Sequence, residues 1–287
     1  MTEITGHPIS ADSTEYTLEE LLIARMAREF RGDAMGVGAT ILGDLSARLA
    51  KALHVPDLFL TTVSRAAADC DVHAKSLSDE WVLSSTARMG LDWEQMFQLI
   101  AQGRLQIWVG AVQIDRHGNS NISVIGSWDK PRIQLVGARG VPDDLWGCAR
   151  LCYHIRKHTP KSFVDKVDFI CSFGDGSDYE NQTNRPARPG VVVSDLGVFD
   201  LDPTTKSMKI VSLHPGVSLE EVQSRTGFVW QKTAGDIPVT AAPTATELQC
   251  IREIIDPLGL RRLESVEGSE AVTLELWNED LVKTASN

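Results

Sequence analysis

The segment Val136-Gly-Ala-Arg-Gly-Val-Pro-Asp143 gathers several features that carbonyl chemistry requires. It follows a strand-like run and precedes a helix that Pro142 can open, so its amides and the helix N-terminus converge on one point. Amides so placed stabilise the oxyanion that develops in thioester and carbonyl reactions. The plain alternative is a strand-to-helix turn in which Asp143 or Asp144 complements the helix N-terminus.

Other chemistry-bearing residues point less far. Gly36-x-Gly38 before a helix invites a dinucleotide reading, but Ile41 stands where the third glycine is needed and Asp57 opens the next strand instead of closing it. The two glycines are better explained as a tight strand-to-helix turn. His154 and His158, four apart beside Cys152 on an expected helix, could face one metal. A zinc site needs three or four ligands, and none follows at suitable spacing, so no metal is expected. Arg156, Lys157, His158 and Lys161 then read as cations at the end of that helix. No Gly-x-Ser-x-Gly elbow occurs. Cys148 and Cys152, on one helix face, read as core.

Composition narrows the function classes. The chain has 287 residues, 43% of them apolar, and a net charge of −11. That suits a folded globular protein and disfavours a nucleic-acid binder, which needs a cationic face to displace counterions. The greasiest run, Leu105 to Ile114, is interrupted by Gln106, Gly110 and Gln113, so no membrane span is expected. The polar N-terminus lacks a signal-like apolar stretch, which with five unpaired-looking cysteines predicts a cytoplasmic protein with reduced thiols.

The elements that must position these residues follow from pattern. Residues 1–16 read as a polar tail, 17–260 as a single α/β domain and 261–287 as a C-terminal extension. Thr17-x-x-Glu20 is a capping box opening a helix to about residue 31, and a second helix ends near Val55-Pro56. Strands are expected over 57–63, 105–114, 121–125, 132–136 and 167–171, with a helix around Trp93–Ile100. A longer helix is expected from Pro142 through Tyr153. Residues 190–201 and 208–213 read as a β-hairpin, and boxes at Ser218-x-x-Glu221 and Thr244-x-x-Glu247 cap two more helices. The predicted fold is an open, mainly parallel sheet with helices on both faces and a β-hairpin in the C-terminal third.

Five segments add a family resemblance. Gln113-Ile-Asp-Arg-His-Gly-Asn-Ser-Asn121, Lys161-Ser-Phe-Val-Asp-Lys-Val-Asp168, Gly197-Val-Phe-Asp200, Leu213-His-Pro-Gly-Val-Ser-Leu-Glu-Glu-Val222 and Thr226-Gly-Phe228 resemble β subunits of class I coenzyme A transferases, especially the glutaconate type. The likeness runs from about residue 32 to 230. It implies a homologous α subunit, an assembly of αβ or (αβ)2, and an acyl-CoA substrate at the subunit interface, with no permanently bound cofactor. It also implies that Gly137 to Asp143 is the family's glycine-rich oxyanion loop.

Two departures modify that expectation. The transferases carry a nucleophilic glutamate after the second strand, where this chain has Thr61-Thr-Val-Ser-Arg-Ala-Ala-Ala-Asp69. Without it, ping-pong transfer through an acyl anhydride fails. Arg139 replaces a glycine of the oxyanion loop, adding a fixed cation. A β subunit without the glutamate resembles the branch of the family that opens the last carbocycle of a steroid-derived (cholesterol catabolism) CoA thioester by hydration and carbon-carbon cleavage, with its acid-base glutamate on the α subunit. Arg139 is therefore the expected charge-stabilising residue, and Ser64, Gln113, Asn119, Asn121, Gly137 and Gly140 the expected substrate-binding residues. For Gln113 and the two asparagines, turn and sheet hydrogen bonding is the alternative. A transferase using Asp69 or Asp71, and a non-catalytic scaffold or ligand-sensing relative, are the competing functions.

Overall fold

The computed structural model describes residues 15–32, 35–61, 67–72, 86–148, 150–174, 190–230, 235–265, 270, 272–276 and 278. A sheet of seven strands forms its centre: β1 (Met35–Gly38), β2 (Phe59–Leu60), β3 (Leu105–Gly110), β4 (Arg150–Ile155), β5 (Val192–Ser194), β6 (Gly197–Leu201) and β7 (Met208–Leu213). Their spatial order is β7-β6-β5-β4-β3-β1-β2. The five from β5 to β2 are parallel, and β6 and β7 complete the sheet as an antiparallel hairpin.

Period-two alternation sorts the core into two layers. Leu105, Ile107 and Val109 of β3 join Leu151, Tyr153 and Ile155 of β4 on one face, against Met96, Ile100, Val141 and Leu145 from the helices Trp93–Ala101 and Val141–Gly147. Trp108 and Cys152 point the other way, into a layer built from α1 (Leu18–Ala27), α2 (Ile41–Leu49) and the helical turns around Cys250–Ile255. The expected capping boxes at Thr17 and Thr244 are both formed, and Ser218 caps its helix. Gly38 lets β1 turn directly into α2, because a Cβ there would lie 2.0 Å from the Asp44 nitrogen. That is the tight-turn role expected of the glycine pair, filled by Gly38, whereas Gly36 lies within β1 against the Leu58 and Phe30 side chains.

Three expectations are corrected. The helix predicted through Tyr153 stops at Gly147, which packs so closely on Ile100 that a Cβ would approach within 2.7 Å, and β4 begins at Arg150. Cys152 and His154 are therefore strand residues, and the cations after them cap no helix. Residues 167–171 form no strand; Phe163–Val164 pairs instead with Gln113–Asp115. The single run 190–201 is two strands that fold back at Asp195-Leu196, so β5 pairs with β4 while β6 pairs with β7.

The C-terminal segment is tied into this framework. Asp256, 1% exposed, accepts the amides of Leu260 and Arg261 at 2.6 and 3.1 Å. Arg261 reaches Asp256 at 2.8 Å and Glu20 of α1 at 3.0 Å, while Arg252 also binds Glu20 at 2.8 Å. Burial pushes the Glu20 carboxyl up, but the Arg252, Thr17 and Arg261 contacts together hold it below the usual carboxylate range. The turn Leu260–Glu264 consequently packs on α1 and α2.

Candidate functional site

Chain connectivity picks the place. From β1 the chain passes to β2 on one side and then crosses back to β3 on the other, so the winding direction reverses between β1 and β3. Ligands of open α/β sheets bind outside the carboxyl ends of the strands at such a reversal. A cavity of about 660 Å³ lies there, lined by Thr40 beyond β1, Gly110 and Ala111 at the end of β3, and His154 and Arg156 at the end of β4. Val112, Ile122, Leu135 and Val136 form its apolar wall, and Glu264 closes the polar end with Gln134 nearby in the lining.

That polar end is built from distant parts of the chain. Glu264 accepts the amides of Ile41 and Leu42 at 2.9 and 3.2 Å, so its carboxylate sits on the N-terminus of α2, where the helix field favours negative charge. Burial nevertheless pushes its pKa up against these two bonds and Arg156. The other carboxylate oxygen contact is His154 Nδ1, 3.6 Å from Oε2. His154 is 4% exposed; burial, reinforced by the Arg156 charge, lowers its pKa to about 4, so the imidazole is neutral near pH 7. Arg156 donates through Nε to the Ser265 carbonyl at 3.0 Å and holds the segment in place.

The expected site residues are not brought together there. Val136 reaches the cavity, whereas exposed Arg139 sits three residues on, at φ +52°, in the turn before the helix Val141–Gly147. The Gly137 amide donates to the Ile122 carbonyl at 3.1 Å, which corrects the expectation that it faces a developing charge. Gly140 is the N-cap residue of that helix and its carbonyl accepts the Asp144 amide at 2.8 Å. Gln113 donates to Asp168 and accepts from Asn121, both within 3.1 Å. Asn121 is fully buried, donating also to the Val124 carbonyl and accepting from Ser123. Asn119 binds Asp115 and receives the Gly174 amide. These three amides are joined to turns and strands, as the alternative reading has it. Ser64 lies outside the described residues.

Asp69 belongs to another place. Lys51 Nζ binds both the Leu58 carbonyl and Asp69, at 2.7 and 3.0 Å. Arg88 adds a second contact at 3.3 Å. The cavity beside these groups, which Asp71 also lines, shares no lining residue with the one at the winding reversal.

No metal centre is formed among the described residues. His154 and His158 are on and just beyond a strand, and His158 is consumed by Ser194 and Thr226 at 3.0 and 2.9 Å. Cys148 and Cys152 are poor nucleophiles: burial raises the pKa of Cys152 to about 12 and of Cys148 higher still. No described helix is long and apolar enough to cross a membrane. Sequence reasoning missed His154 and Glu264 as cavity residues. Reading 150–155 as a strand buried on both faces would have placed His154 at a strand end, but nothing local marks Glu264.

Comparison with known proteins agrees with the fold. The family described as coenzyme A transferase matches residues 35–225, from β1 to the helix Leu219–Ser224. The chain is 36% identical to the IpdB chain of the cholesterol ring-cleaving hydrolase of Rhodococcus jostii (strain RHA1), over 89% of this chain and 99% of that protein. It is 29% identical to one of the subunits of the glutaconate CoA-transferase of Acidaminococcus fermentans, over 86% of this chain and 95% of that one. The crystal structure of Rhodococcus jostii RHA1 IpdAB is similar at a TM-score of 0.74 and 34% identity, covering 88% of this chain and 99% of the matched chain.

Proposed function

The chain belongs to the coenzyme A transferase family, and within it we propose that it is the β-type subunit of a heteromeric hydrolase that opens a carbocyclic ring of a steroid-derived CoA thioester. Its partner is a homologous α subunit that supplies the acid-base glutamate, in an αβ or (αβ)2 assembly working in the cytoplasm. Coenzyme A enters as part of the substrate. Water adds to a ring ketone, the adjacent carbon-carbon bond breaks with its electron pair forming an enolate, and that enolate is reprotonated. Arg139 and the Gly140 amide are the groups of this chain proposed to stabilise the charge. Gln113, Asn119 and Asn121 act by holding the pocket wall, and Ser64 is kept as a polar contact.

The observation that carries this reading over simple CoA transfer is the missing nucleophile. From Leu58 to Ala68 the sequence contains no acid, and Asp69 is held by Lys51 and Arg88 beside a different cavity. Covalent transfer needs a carboxylate that can attack the thioester. The transferase reading, with Asp69 or Asp71 as nucleophile, keeps support from the likeness to the glutaconate enzyme. A non-catalytic scaffold has no specific observation in its favour.

Mass spectrometry of CoA products separates these readings. The chain, co-purified with its α partner, is mixed with a ring-ketone steroid CoA thioester, with and without acetate. A product heavier by one water, formed equally in both, is expected. Acetyl-CoA formed only with acetate would overturn the reading in favour of transfer. In the same assay Arg139→Ala is expected to lower turnover about 100-fold without unfolding the chain; unchanged turnover would remove Arg139 from the mechanism.

A further inference from the structure

The cavity at the winding reversal has an apolar wall and one polar end. At that end His154 is unusual. Its side chain is 3% exposed, and Nδ1 lies 3.6 Å from the Glu264 carboxylate, yet neither ring nitrogen has a hydrogen-bond partner among the described residues. The cavity that His154 lines lies at this end of β4. A buried imidazole without partners is costly unless a ligand or water completes it.

Glu264 decides how that imidazole is presented. An anion beside Nδ1 favours the tautomer with hydrogen on Nδ1, leaving the Nε2 lone pair as the acceptor. The carboxylate cannot drift, because the Ile41 and Leu42 amides hold it at the α2 terminus and Arg156 holds the next carbonyl. The turn that delivers it is clamped in turn by Arg261 between Glu20 and Asp256. Glu264 also lies beyond the residues that the family pattern matches.

We propose that this cavity receives the carbocyclic part of the acyl group, that His154 Nε2 accepts a hydrogen bond from the hydrated ring ketone or its attacking water, and that Glu264 is the positioning residue fixing the imidazole. Ala111, Val112, Ile122 and Leu135 would meet the ring body, which matches the division of such a substrate into a hydrocarbon frame and one oxygen-bearing carbon. The ring identity rests on the ring-opening function proposed above; the His154–Glu264 arrangement does not.

The test uses the complete complex with 15N-labelled histidine. The probe is a ring-alcohol CoA thioester, which cannot be hydrated and so binds without turnover, with calorimetry confirming saturation. The His154 signal, assigned by its loss in His154→Gln, is expected to be neutral with hydrogen on Nδ1 and to shift with the thioester but not with CoA alone. Glu264→Gln should convert it to a tautomer mixture. In steady state His154→Gln is expected to lower kcat roughly 100-fold and Glu264→Gln about tenfold, with KM within about threefold in both. Should the complex transfer CoA to acetate, the ring-opening reading falls, and the NMR experiment is read with the acyl-CoA that is transferred. A His154 signal that does not move at saturation, or kcat unchanged in His154→Gln, overturns the proposal in either case.

Discussion

Three imidazoles are buried near the carboxyl ends of β4 and β7, and they divide into two regions of opposite character. His158 and His214 occupy a closed polar core. His158 bonds Ser194 and Thr226 and stacks on Phe163 at 3.5 Å, while His214 bonds Thr240 and the Ser194 carbonyl at 3.0 and 2.8 Å. His154 lies on β4 at the cavity, 3.6 Å from the Glu264 carboxylate and without a side-chain hydrogen-bond partner among the described residues. All three are neutral, with pKa values lowered to about 3, 4 and 4 for His158, His214 and His154, first by burial. A lowered pKa therefore does not separate structure from function here; hydrogen-bond satisfaction does.

Substitution is the strongest way to break this comparison. His158→Ala removes a ring stacked on Phe163 and one hydrogen bond from each of the Ser194 and Thr226 hydroxyls, so it is expected to cost about 3–5 kcal/mol. His154→Gln, which breaks no side-chain hydrogen bond among the described residues, should stay within about 1 kcal/mol of the parent. Urea denaturation of the complex reads both, and equal losses would dissolve the distinction.

The clamp behind Glu264 comes next in size. Arg261→Ala leaves Asp256 buried without its cation and frees the turn that carries Glu264, with an expected loss of about 3 kcal/mol. Activity should fall further than in Arg262→Ala, whose ion pair with Glu275 is exposed. A stability and turnover indistinguishable from the parent would show that Glu264 needs no such support.

Acid sensitivity is the gentlest probe. Folded histidines with lowered pKa resist protonation, while the unfolded chain takes up protons below its ordinary value of about 6.5. Their contribution is thus complete above about pH 6.5 and is lost as pH falls toward the folded values of about 4 and 3. Each histidine contributes a slope of at most about 1.4 kcal/mol per pH unit. Glu20 acts in the same direction at lower pH: its pKa is also lowered, so its contribution is complete above the ordinary carboxylate value of 4.5 and is lost as pH falls through that range. Thermal melts should hold level from pH 7.5 to about 6.5 and decline below that toward pH 5, and His154→Gln should flatten part of that decline without changing stability at neutral pH. A flat parent profile would contradict the buried neutral state.

Much of the framework is legible locally. Capping boxes at Thr17 and Thr244 announce their helices because one side chain and one amide three residues apart settle the turn. The β6–β7 hairpin is marked by the turn residues Asp202-Pro-Thr-Thr205 between apolar runs. The run around Cys152 misleads for a physical reason: a strand covered on both faces is apolar at nearly every position, so its alternation vanishes and a helix fits equally well. Gln113, Asn119 and Asn121 stand out in sequence because they belong to a family segment, but their side chains hold turns and strands together. The glycine loop is visible in sequence, while the commitment of the Gly137 amide to Ile122 depends on where the neighbouring strands lie.

The sequence by itself determined the family, through five ordered segments between about residues 32 and 230, and it determined the lack of an acid between Leu58 and Ala68 that disfavours covalent transfer. Those are statements about residue type and order, which hold before the chain folds. Only the tertiary structure decided which polar groups meet at the winding reversal. Glu264 reaches Ile41 across more than two hundred residues and His154 across more than a hundred. No local periodicity encodes such a contact, because it is created when the sheet sets its strand order and the Arg261 cluster fixes where the turn Leu260–Glu264 must lie.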